Sequence, residues 1–293
     1  MIDRRTFLAG ALAAGACARA APPAAVGEDL APRFEAIRST LGPGGRLGVM
    51  AIETGSGREL RFDADSRYAM ASTFKLPLAA MVLALAERGE LSLDETLPFP
   101  AGDPLPHSPA VERYRGEGGL SLVRLCSAIV ELSDNSAANM LLHRVGGPEA
   151  LTRFIRDCGD KVTRLDRFEM ELNSNLPGDP RDTTSPAAMA GLVRMLVLGD
   201  RLSRDSRNRL SGRLTKSAPG PDRLKAGLPA PPWLVGHKTG TGANGAVNDV
   251  AVAWRSRKPA VVIACYQSGG DADGWARAAA HASVARLVAD AFA

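Results

Sequence analysis

The sequence predicts an α/β protein of the α+β kind, with one antiparallel sheet of about five strands assembled from both ends of the chain. Three observations predict it: alternating apolar segments near residues 47–62, a mostly helical middle from Ser72 to about Gly212, and strand patterns that return after about residue 230. Helices would flank this sheet. The helical middle would form a second lobe, and the active site would lie in the cleft between the lobes.

The N-terminal part predicts a helix and a hairpin. Apolar residues at helical spacing predict a first helix over 29–41, which the glycine-rich segment 42–45 ends. Residues 47–52 alternate as in a strand. The Thr-Gly-Ser-Gly turn at 54–57 then leads into a second strand at 59–62, as expected for a β-hairpin.

The middle of the chain predicts helices separated by loops rich in Pro, Gly, Asp and Asn. The predicted helices lie near 73–88, 120–132, 136–145, 148–158 and 186–198. Two long loops, 98–118 and 166–185, stand out because long irregular loops in compact domains are often functional.

The C-terminal part predicts strands over 233–237, 248–255 and 259–267, and a last helix over 275–292. The predicted catalytic domain spans 27–293. Its sheet lobe takes residues 27–66 and 213–293, and its helical lobe takes residues 67–212.

The first 20 residues read as an export signal. Arg4 and Arg5 precede a short apolar run that ends in an A-x-A cleavage pattern at Ala20, which resembles a twin-arginine signal. A lipoprotein anchored through Cys17 is the less favoured alternative, because the residues before Cys17 match a lipidation site poorly. We therefore expect a periplasmic protein with no stable membrane insertion after processing.

Composition limits the partners. With 293 residues and 45% hydrophobic content the chain can bury a sizeable core, and removal of residues 1–20 lowers the formal charge from +4 to +2. Aromatic residues are only 5% and no basic run is interleaved with them, so nucleic acid is not an expected partner. We expect a small-molecule substrate and a monomer.

Cysteine and histidine patterns argue against disulfides and metals. Cys126, Cys158 and Cys265 form an odd, scattered set in apolar contexts, which predicts core packing. The four histidines lie far apart without metal-ligand spacing, so we expect neither a metal site nor a cofactor.

Ser72-Thr73-Phe74-Lys75 is the segment around which the chain is organised. If Ser72 lies in the first turn of a helix, Lys75 three residues later shares its face and its amine can reach the Ser72 hydroxyl. A lysine with a pKa lowered by desolvation can act as the base that activates a serine nucleophile. Taken alone, the pattern is more typical of an N-cap serine followed by a solvated lysine.

Three further segments favour the catalytic interpretation of Ser72 and Lys75. They are Ser133-Asp134-Asn135 after a helix, Arg167 to Asn173 leading to Asp182, and Lys238-Thr239-Gly240-Thr241-Gly242 at the end of a strand. Each alone has an ordinary structural interpretation, as a helix connection, an exposed i, i+4 pair and a strand end. In this order, S-x-x-K, S-D-N and K-T-G resemble the motifs of class A serine β-lactamases and penicillin-binding proteins over essentially the whole mature chain.

The resemblance implies a role for each matching residue. Ser72 would be the nucleophile that forms an acyl-enzyme, Lys75 its partner, and Ser133 the group that passes a proton to the lactam nitrogen. Asn135 would bind the substrate's side-chain amide and hold Lys75. The substrate carboxylate would meet a cationic, hydrogen-bonding patch made of Lys238, Thr239, Gly240 and Thr241.

Glu169 separates two enzyme classes. With Asn173 it would hold and activate the water that hydrolyses the acyl-enzyme, on an Ω-shaped loop whose neck an Arg167–Asp182 ion pair would fix. This favours a β-lactamase that confers resistance over a DD-peptidase, the nearest alternative. A non-catalytic β-lactam-binding module is a further alternative.

Departures from the family pattern concern the rim of the cleft. Val247 stands where many members carry a second carboxylate-binding arginine, and Arg223 matches the alternative position for that guanidinium. His107 stands where an aromatic residue is usual, as a substrate contact or a surface histidine without a role. Ala71 and Gly242 occupy the places of a disulfide found in some carbapenemases, so the sequence leaves the substrate range open.

Overall fold

The structure, a computed structural model, describes residues 30–293. The predicted export signal, with Arg4, Arg5 and Cys17, lies outside the described residues. Across residues 30–293, none of the helices combines the length and the apolarity needed to cross a membrane.

The described residues contain one large sheet and two short two-stranded sheets. The strands are β1 (Arg46–Glu53), β2 (Glu59–Phe62), β3 (Tyr68–Ala69), β4 (Thr96–Pro98), β5 (Gly119–Ser121), β6 (Thr183–Thr184), β7 (Trp233–Thr241), β8 (Val247–Arg255) and β9 (Lys258–Ser268). The large sheet has the order β2-β1-β9-β8-β7, with every neighbouring pair antiparallel. Because β1 pairs with β9, the predicted five-stranded sheet built from both chain ends is confirmed.

Helices cover both faces of this sheet. The α-helices are α1 (Ala31–Ser39), α2 (Lys75–Glu87), α3 (Pro109–Tyr114), α4 (Leu122–Glu131), α5 (Asn135–Val145), α6 (Gly147–Asp157), α7 (Pro186–Val197), α8 (Arg204–Thr215) and α9 (Gly274–Ala291). Short 3₁₀ turns lie at Ala71–Phe74, Arg115–Glu117, Glu171–Asn173 and Leu224–Gly227.

Two apolar cores lie on the two faces of the sheet. On one face α1 and α9 pack through residues such as Phe34 and Val284, and on the other the helical middle packs around α2. Every residue of α2 from Lys75 to Ala84 is buried, as expected for the central helix of a bundle. The buried position of α2 places Lys75 in the interior beside the cleft.

The structure assigns three segments differently from the prediction. The helix predicted from residue 120 begins at Leu122, because Gly119–Ser121 pairs with β4 as a strand. The predicted loop 98–118 contains α3. Helix α8 was not predicted because its sequence is mostly polar, with Leu210 and Leu214 as its buried apolar residues, and it runs through the predicted lobe boundary at residue 212.

Cys126, Cys158 and Cys265 are free and buried, which confirms their predicted place in the core. Burial raises the pKa of all three thiols, so they behave as small apolar side chains.

Candidate active site

Ser72 lies on the short turn that precedes α2. The sequence predicted the first turn of an α-helix, whereas Ala71–Phe74 forms a 3₁₀ turn and α2 begins at Lys75. The predicted contact is present: the Lys75 Nζ donates to the Ser72 Oγ at 3.0 Å. The serine hydroxyl and the lysine amine are therefore in hydrogen-bond contact.

Lys75 is the centre of the polar network. Its side chain is fully buried, and its Nζ donates to the Ser133 carbonyl oxygen at 2.9 Å and to the Asn135 Oδ1 at 2.5 Å. It also lies 2.8 Å from the Glu169 Oε1. Burial lowers the pKa of Lys75, and the negative charge of Glu169 opposes that effect.

The turn between α4 and α5 holds Ser133 at the cleft. Asp134 caps α5 by accepting from the Ala137 N–H at 2.8 Å, and its other oxygen accepts from the first N–H groups of α3. Ser133 takes a left-handed backbone conformation, with φ of 61°. Its hydroxyl accepts from the Lys238 Nζ at 3.0 Å, whereas Lys75 reaches the carbonyl oxygen of Ser133 instead of its hydroxyl.

Glu169 and Asn173 lie on the loop before and within a 3₁₀ turn. The Asn173 Nδ2 donates to the Glu169 Oε2 at 2.6 Å, and the buried Asn173 Oδ1 has no hydrogen-bond partner among residues 30–293. Asn139 donates to the Glu169 carbonyl and accepts from the Glu169 N–H, both at 2.9 Å. The sequence motifs did not include Asn139, although it lies four residues after Asn135 and so shares its helix face.

The neck of this loop is fixed by Arg167 and Asp182, as the resemblance implied. The Arg167 Nε donates to the Asp182 Oδ2 at 2.6 Å, and the other carboxylate oxygen accepts from the backbone N–H groups of Asp166 and Arg167. The Asp182 side chain is fully buried, and that of Arg167 is 16% exposed.

The end of β7 forms the opposite wall. Lys238 is buried, and its pKa is well below the ordinary value because of burial and the nearby charge of Lys75. Gly240 lets this strand approach the nucleophile, because a Cβ there would lie 2.7 Å from the Met70 carbonyl oxygen and 3.1 Å from the Ser72 nitrogen. Thr239 and Thr241 border the same cleft.

Arg223 contacts the end of β7 and the start of β8, close to Val247. Its guanidinium donates to the carbonyl oxygens of Gly240 at 3.0 Å and Asn248 at 2.8 Å, and to the Thr241 Oγ1 at 2.8 Å. Val247 itself is buried opposite Thr241 in the β7–β8 pair. His107 lines the other side of the cleft, where its Nε2 lies 3.1 Å from the Leu132 carbonyl oxygen.

The cleft has a volume of about 640 Å³, within the range of small-molecule sites. The predicted site residues that line it are Ser72, His107, Ser133, Asn135, Asn173, Arg223, Thr239, Gly240 and Thr241. Lys75, Glu169 and Lys238 are buried behind this lining. Within residues 30–293, no cluster of His, Cys, Asp or Glu side chains is arranged to hold a metal ion.

Comparisons with known proteins agree with this geometry. The family model described as "Beta-lactamase enzyme family" matches residues 31–292. The chain is 40% identical to Beta-lactamase AST-1 of Nocardia asteroides, covering 99% of this chain and 96% of that protein. It is 43% identical to Beta-lactamase L2 of Stenotrophomonas maltophilia, covering 88% of this chain and 84% of that protein. The solved structure of an ancestral class A β-lactamase superposes with a TM-score of 0.87 at 46% identity, covering 90% of this chain and all of that one.

Proposed function

This chain belongs to the β-lactamase enzyme family, and we infer that it hydrolyses the β-lactam ring of penicillins and cephalosporins through an acyl-enzyme on Ser72. One observation carries the assignment of roles. The Lys75 Nζ lies within 3.0 Å of the Ser72 Oγ and 2.8 Å of the Glu169 Oε1. A single buried amine therefore links the nucleophile to the base for deacylation.

Acylation begins at Ser72. The Ser72 Oγ attacks the lactam carbonyl carbon and gives its proton to the neutral form of Lys75, which the lowered pKa of this lysine makes accessible. The developing oxyanion accepts hydrogen bonds from the N–H groups of Ser72 and Thr241, which the close approach of β7 at Gly240 brings together. When the lactam C–N bond breaks, Ser133 donates its proton to the leaving nitrogen and takes one from the Lys238 ammonium, which donates to its hydroxyl oxygen at 3.0 Å.

The substrate carboxylate binds at the end of β7. The Lys238 ammonium, the hydroxyls of Thr239 and Thr241 and the Arg223 guanidinium form a cationic, hydrogen-bonding patch for it. Asn135 and His107 border the part of the cleft that receives the substrate's side chain.

Deacylation uses Glu169 and Asn173. A buried amide oxygen without a protein partner is most often satisfied by water, and the Asn173 Oδ1 is such an atom beside the Glu169 carboxylate. A water there gives a proton to Glu169 and attacks the ester carbonyl carbon. The bond between that carbon and the Ser72 Oγ then breaks, the product acid leaves, and the Ser72 Oγ takes back the proton that Lys75 accepted during acylation.

The alternatives have less support. A DD-peptidase does not require a base that activates water for rapid hydrolysis of the acyl-enzyme. The relatives described above carry β-lactamase names. A binding module without turnover has no need for a serine and a lysine in hydrogen-bond contact.

The test is the time course of a chromogenic cephalosporin with residues 21–293 and with the Glu169→Ala variant. We expect sustained turnover in the wild type and a single burst in the variant, because acylation remains and deacylation loses its base. Glu149→Ala, which removes an exposed acid on α6 away from the cleft lining, is the control and should turn over like the wild type. A stoichiometric burst in the wild type would instead indicate a penicillin-binding enzyme, and no burst would leave a binding module.

Localisation follows from the sequence signal. We propose export to the periplasm by the twin-arginine route, supported by Arg4 and Arg5 ahead of the apolar run, and a monomer without nucleic-acid partners. Replacement of both arginines by lysine should retain the precursor in the cytoplasm, as fractionation would show. Light scattering of the mature protein would test the monomer.

A further inference from the structure

A buried histidine–aspartate pair lies beneath the cleft end of β7, outside the catalytic set. The Asp249 side chain is fully buried and that of His237 is 1% exposed. Both Asp249 oxygens lie 3.1 Å from the His237 Nδ1, which donates to them. Burying a carboxylate is costly unless it is well paired, so this position calls for an explanation beyond packing.

The sheet register places Asp249 next to the carboxylate patch. Asp249 on β8 is the direct partner of Thr239 on β7 and of Cys265 on β9. His237 precedes Thr239 by two residues and therefore shares its face of the strand. Asp249 thus lies directly across from a residue of the K-T-G motif.

Asp249 also holds the segment that carries Arg223. Its Oδ2 accepts from the Leu224 N–H at 3.2 Å, one residue after Arg223. The Arg223 guanidinium then reaches the carbonyl oxygens of Gly240 and Asn248, the residue before Asp249. The same short stretch of β8 therefore contacts both the backbone and the side chain of this arginine segment.

We propose that Asp249, oriented by His237, is the positioning residue that fixes Arg223 for recognition of the substrate carboxylate. The proposal deepens the function proposed above and rests on it. Asp249 does not touch the substrate. It acts through Arg223, whose own contacts to the strand are to carbonyl and hydroxyl oxygens that carry no formal charge.

The charges around Asp249 support this role. Burial would raise its pKa, but the charge and hydrogen bond of His237, together with His281 and Arg223, hold that pKa below its ordinary value. The titratable and charged groups that face it are His237 and Lys238 on β7, Cys265 and Tyr266 on β9, His281 on α9, and Asp222 and Arg223 on the loop before β7. Burial lowers the pKa values of Arg223 and Lys238, and the negative charge of Asp249 opposes the effect in both. Asp249 therefore favours the protonated forms that bind a carboxylate.

The experiment measures binding of benzylpenicillin by isothermal titration calorimetry in a Ser72→Ala background, where no acyl-enzyme forms. We expect Asp249→Asn to raise the dissociation constant on the order of tenfold when Arg223 is present, because a misplaced guanidinium loses a charge-assisted hydrogen bond. When Arg223→Ala is already present, we expect Asp249→Asn to change binding by about twofold or less. An equal rise in the dissociation constant in both backgrounds would overturn the proposal, because a general structural defect would weaken binding whether or not Arg223 is present.

Two further measurements separate positioning from stability. As the pH is raised, binding should begin to weaken at a lower pH in Asp249→Asn than in the parent. Loss of the negative charge lowers the pKa of Lys238, so this lysine loses its proton earlier. Cys265→Ala, which changes the neighbouring side chain in register without removing a charge, should leave both results as in the parent. A Cys265→Ala effect equal to that of Asp249→Asn would contradict a role specific to the carboxylate.

A variant at His237 guards against misfolding of Asp249→Asn. His237→Gln keeps the carboxylate but removes the imidazole that orients it, and should weaken binding severalfold only when Arg223 is present. An effect of equal size without Arg223 would overturn the proposal.

Turnover by the enzymes with Ser72 intact, measured in parallel, distinguishes the two proposals. If the enzyme turns over and Asp249→Asn weakens binding equally with and without Arg223, the positioning role alone is overturned. Binding with an Arg223-dependent effect of Asp249, but without turnover, overturns hydrolysis alone. Absence of both turnover and benzylpenicillin binding by Ser72→Ala overturns both.

Discussion

The Lys75 Nζ and the Glu169 Oε1 form an ion pair of 2.8 Å in which both side chains are fully buried. The pair joins α2 to the loop that carries Glu169, two segments almost a hundred residues apart in the chain. A buried ion pair of this kind gains little stability over an apolar pair, so its value lies in the protonation states that it sets.

Replacement of Glu169 by Gln should shift the pH dependence of acylation. The negative charge of Glu169 raises the pKa of Lys75 against the effect of burial, so its removal lowers that pKa. Because neutral Lys75 accepts the Ser72 proton, the rise of the acylation rate with pH should move to lower pH. Mass spectrometry of acyl-enzyme formation against pH measures this shift.

Glu171→Gln should leave that pH profile unchanged, because Glu171 is exposed on the same loop. Loss of acylation at every pH in Glu169→Gln would contradict the assignment, since it would make Glu169 the base for Ser72.

Asp182→Asn should loosen the loop that carries Glu169 and slow turnover. The change removes a charge that meets the Arg167 guanidinium and two backbone N–H groups in a fully buried position. We expect a loss of about 3 kcal/mol in the free energy of unfolding, measured with urea, and faster hydrogen exchange over residues 166–182.

Arg181→Gln is the matched control, because Arg181 is exposed and its surface pair with Asp179 on the same loop should contribute little to stability. Wild-type hydrolysis kinetics together with unchanged exchange in Asp182→Asn would show that the pair does not hold the loop.

Asn175 and Asn244 clasp the loop to the β7–β8 turn. The Asn175 amide donates to the carbonyl oxygens of Ala243 and Asn244, and the Asn244 amide donates back to those of Ser174 and Asn175. Both residues have positive φ, so replacement by Gly removes the side chain without backbone strain. Each Gly variant should increase hydrogen exchange at residues 171–176.

The two changes should be coupled, because they remove the same contact. A double-mutant cycle on the free energy of unfolding should give a coupling energy of about 0.5 kcal/mol or more. Strict additivity would contradict a mutual clasp.

Arg223→Ala should raise KM more than it lowers kcat. The guanidinium lies at the carboxylate patch and away from the Lys75 network, so its loss removes binding that the ground state and the transition state share. We expect KM for benzylpenicillin to rise on the order of tenfold or more, as steady-state kinetics would show. Wild-type kinetics in this variant would refute its role as the second carboxylate ligand.

The catalytic residues were predictable because their spacing is local. Ser72 and Lys75 share one turn, and Ser133-Asp134-Asn135 and Lys238-Thr239-Gly240 are contiguous. Arg223 could be found only through the family resemblance, since two of its partners are backbone carbonyl oxygens, which every residue supplies.

Other features depend on pairings that no local pattern encodes. Asn139 supports Glu169 from 30 residues away, and Asp249 meets Leu224 only because β8 lies beside the Arg223 segment. Residues 120–121 were predicted as the start of a helix but belong to the strand Gly119–Ser121. Pairing with β4 outweighs the propensity of so short a segment.

Acidification should destabilise the protein through His281. Burial and the charge of Arg223 lower the pKa of His281 to about 4, from an ordinary value of 6.5, while Asp249 opposes the shift. Between these two values the unfolded state binds a proton that the folded state does not, so the free energy of unfolding falls as pH falls from 6.5 to 4. At pH 5 this histidine alone should cost about 2 kcal/mol relative to pH 7.

The comparison of wild type with His281→Gln isolates this contribution, because the other titrating groups are common to both proteins. The Gln variant retains an amide that can donate to the Val247 carbonyl oxygen, as the His281 Nε2 does at 3.1 Å. Urea unfolding at pH 7 and pH 5 should therefore show a smaller loss in the variant, by about 2 kcal/mol. Equal losses in the two proteins would mean that His281 takes up its proton equally well in the folded and unfolded states, and that its burial has no influence on acid stability.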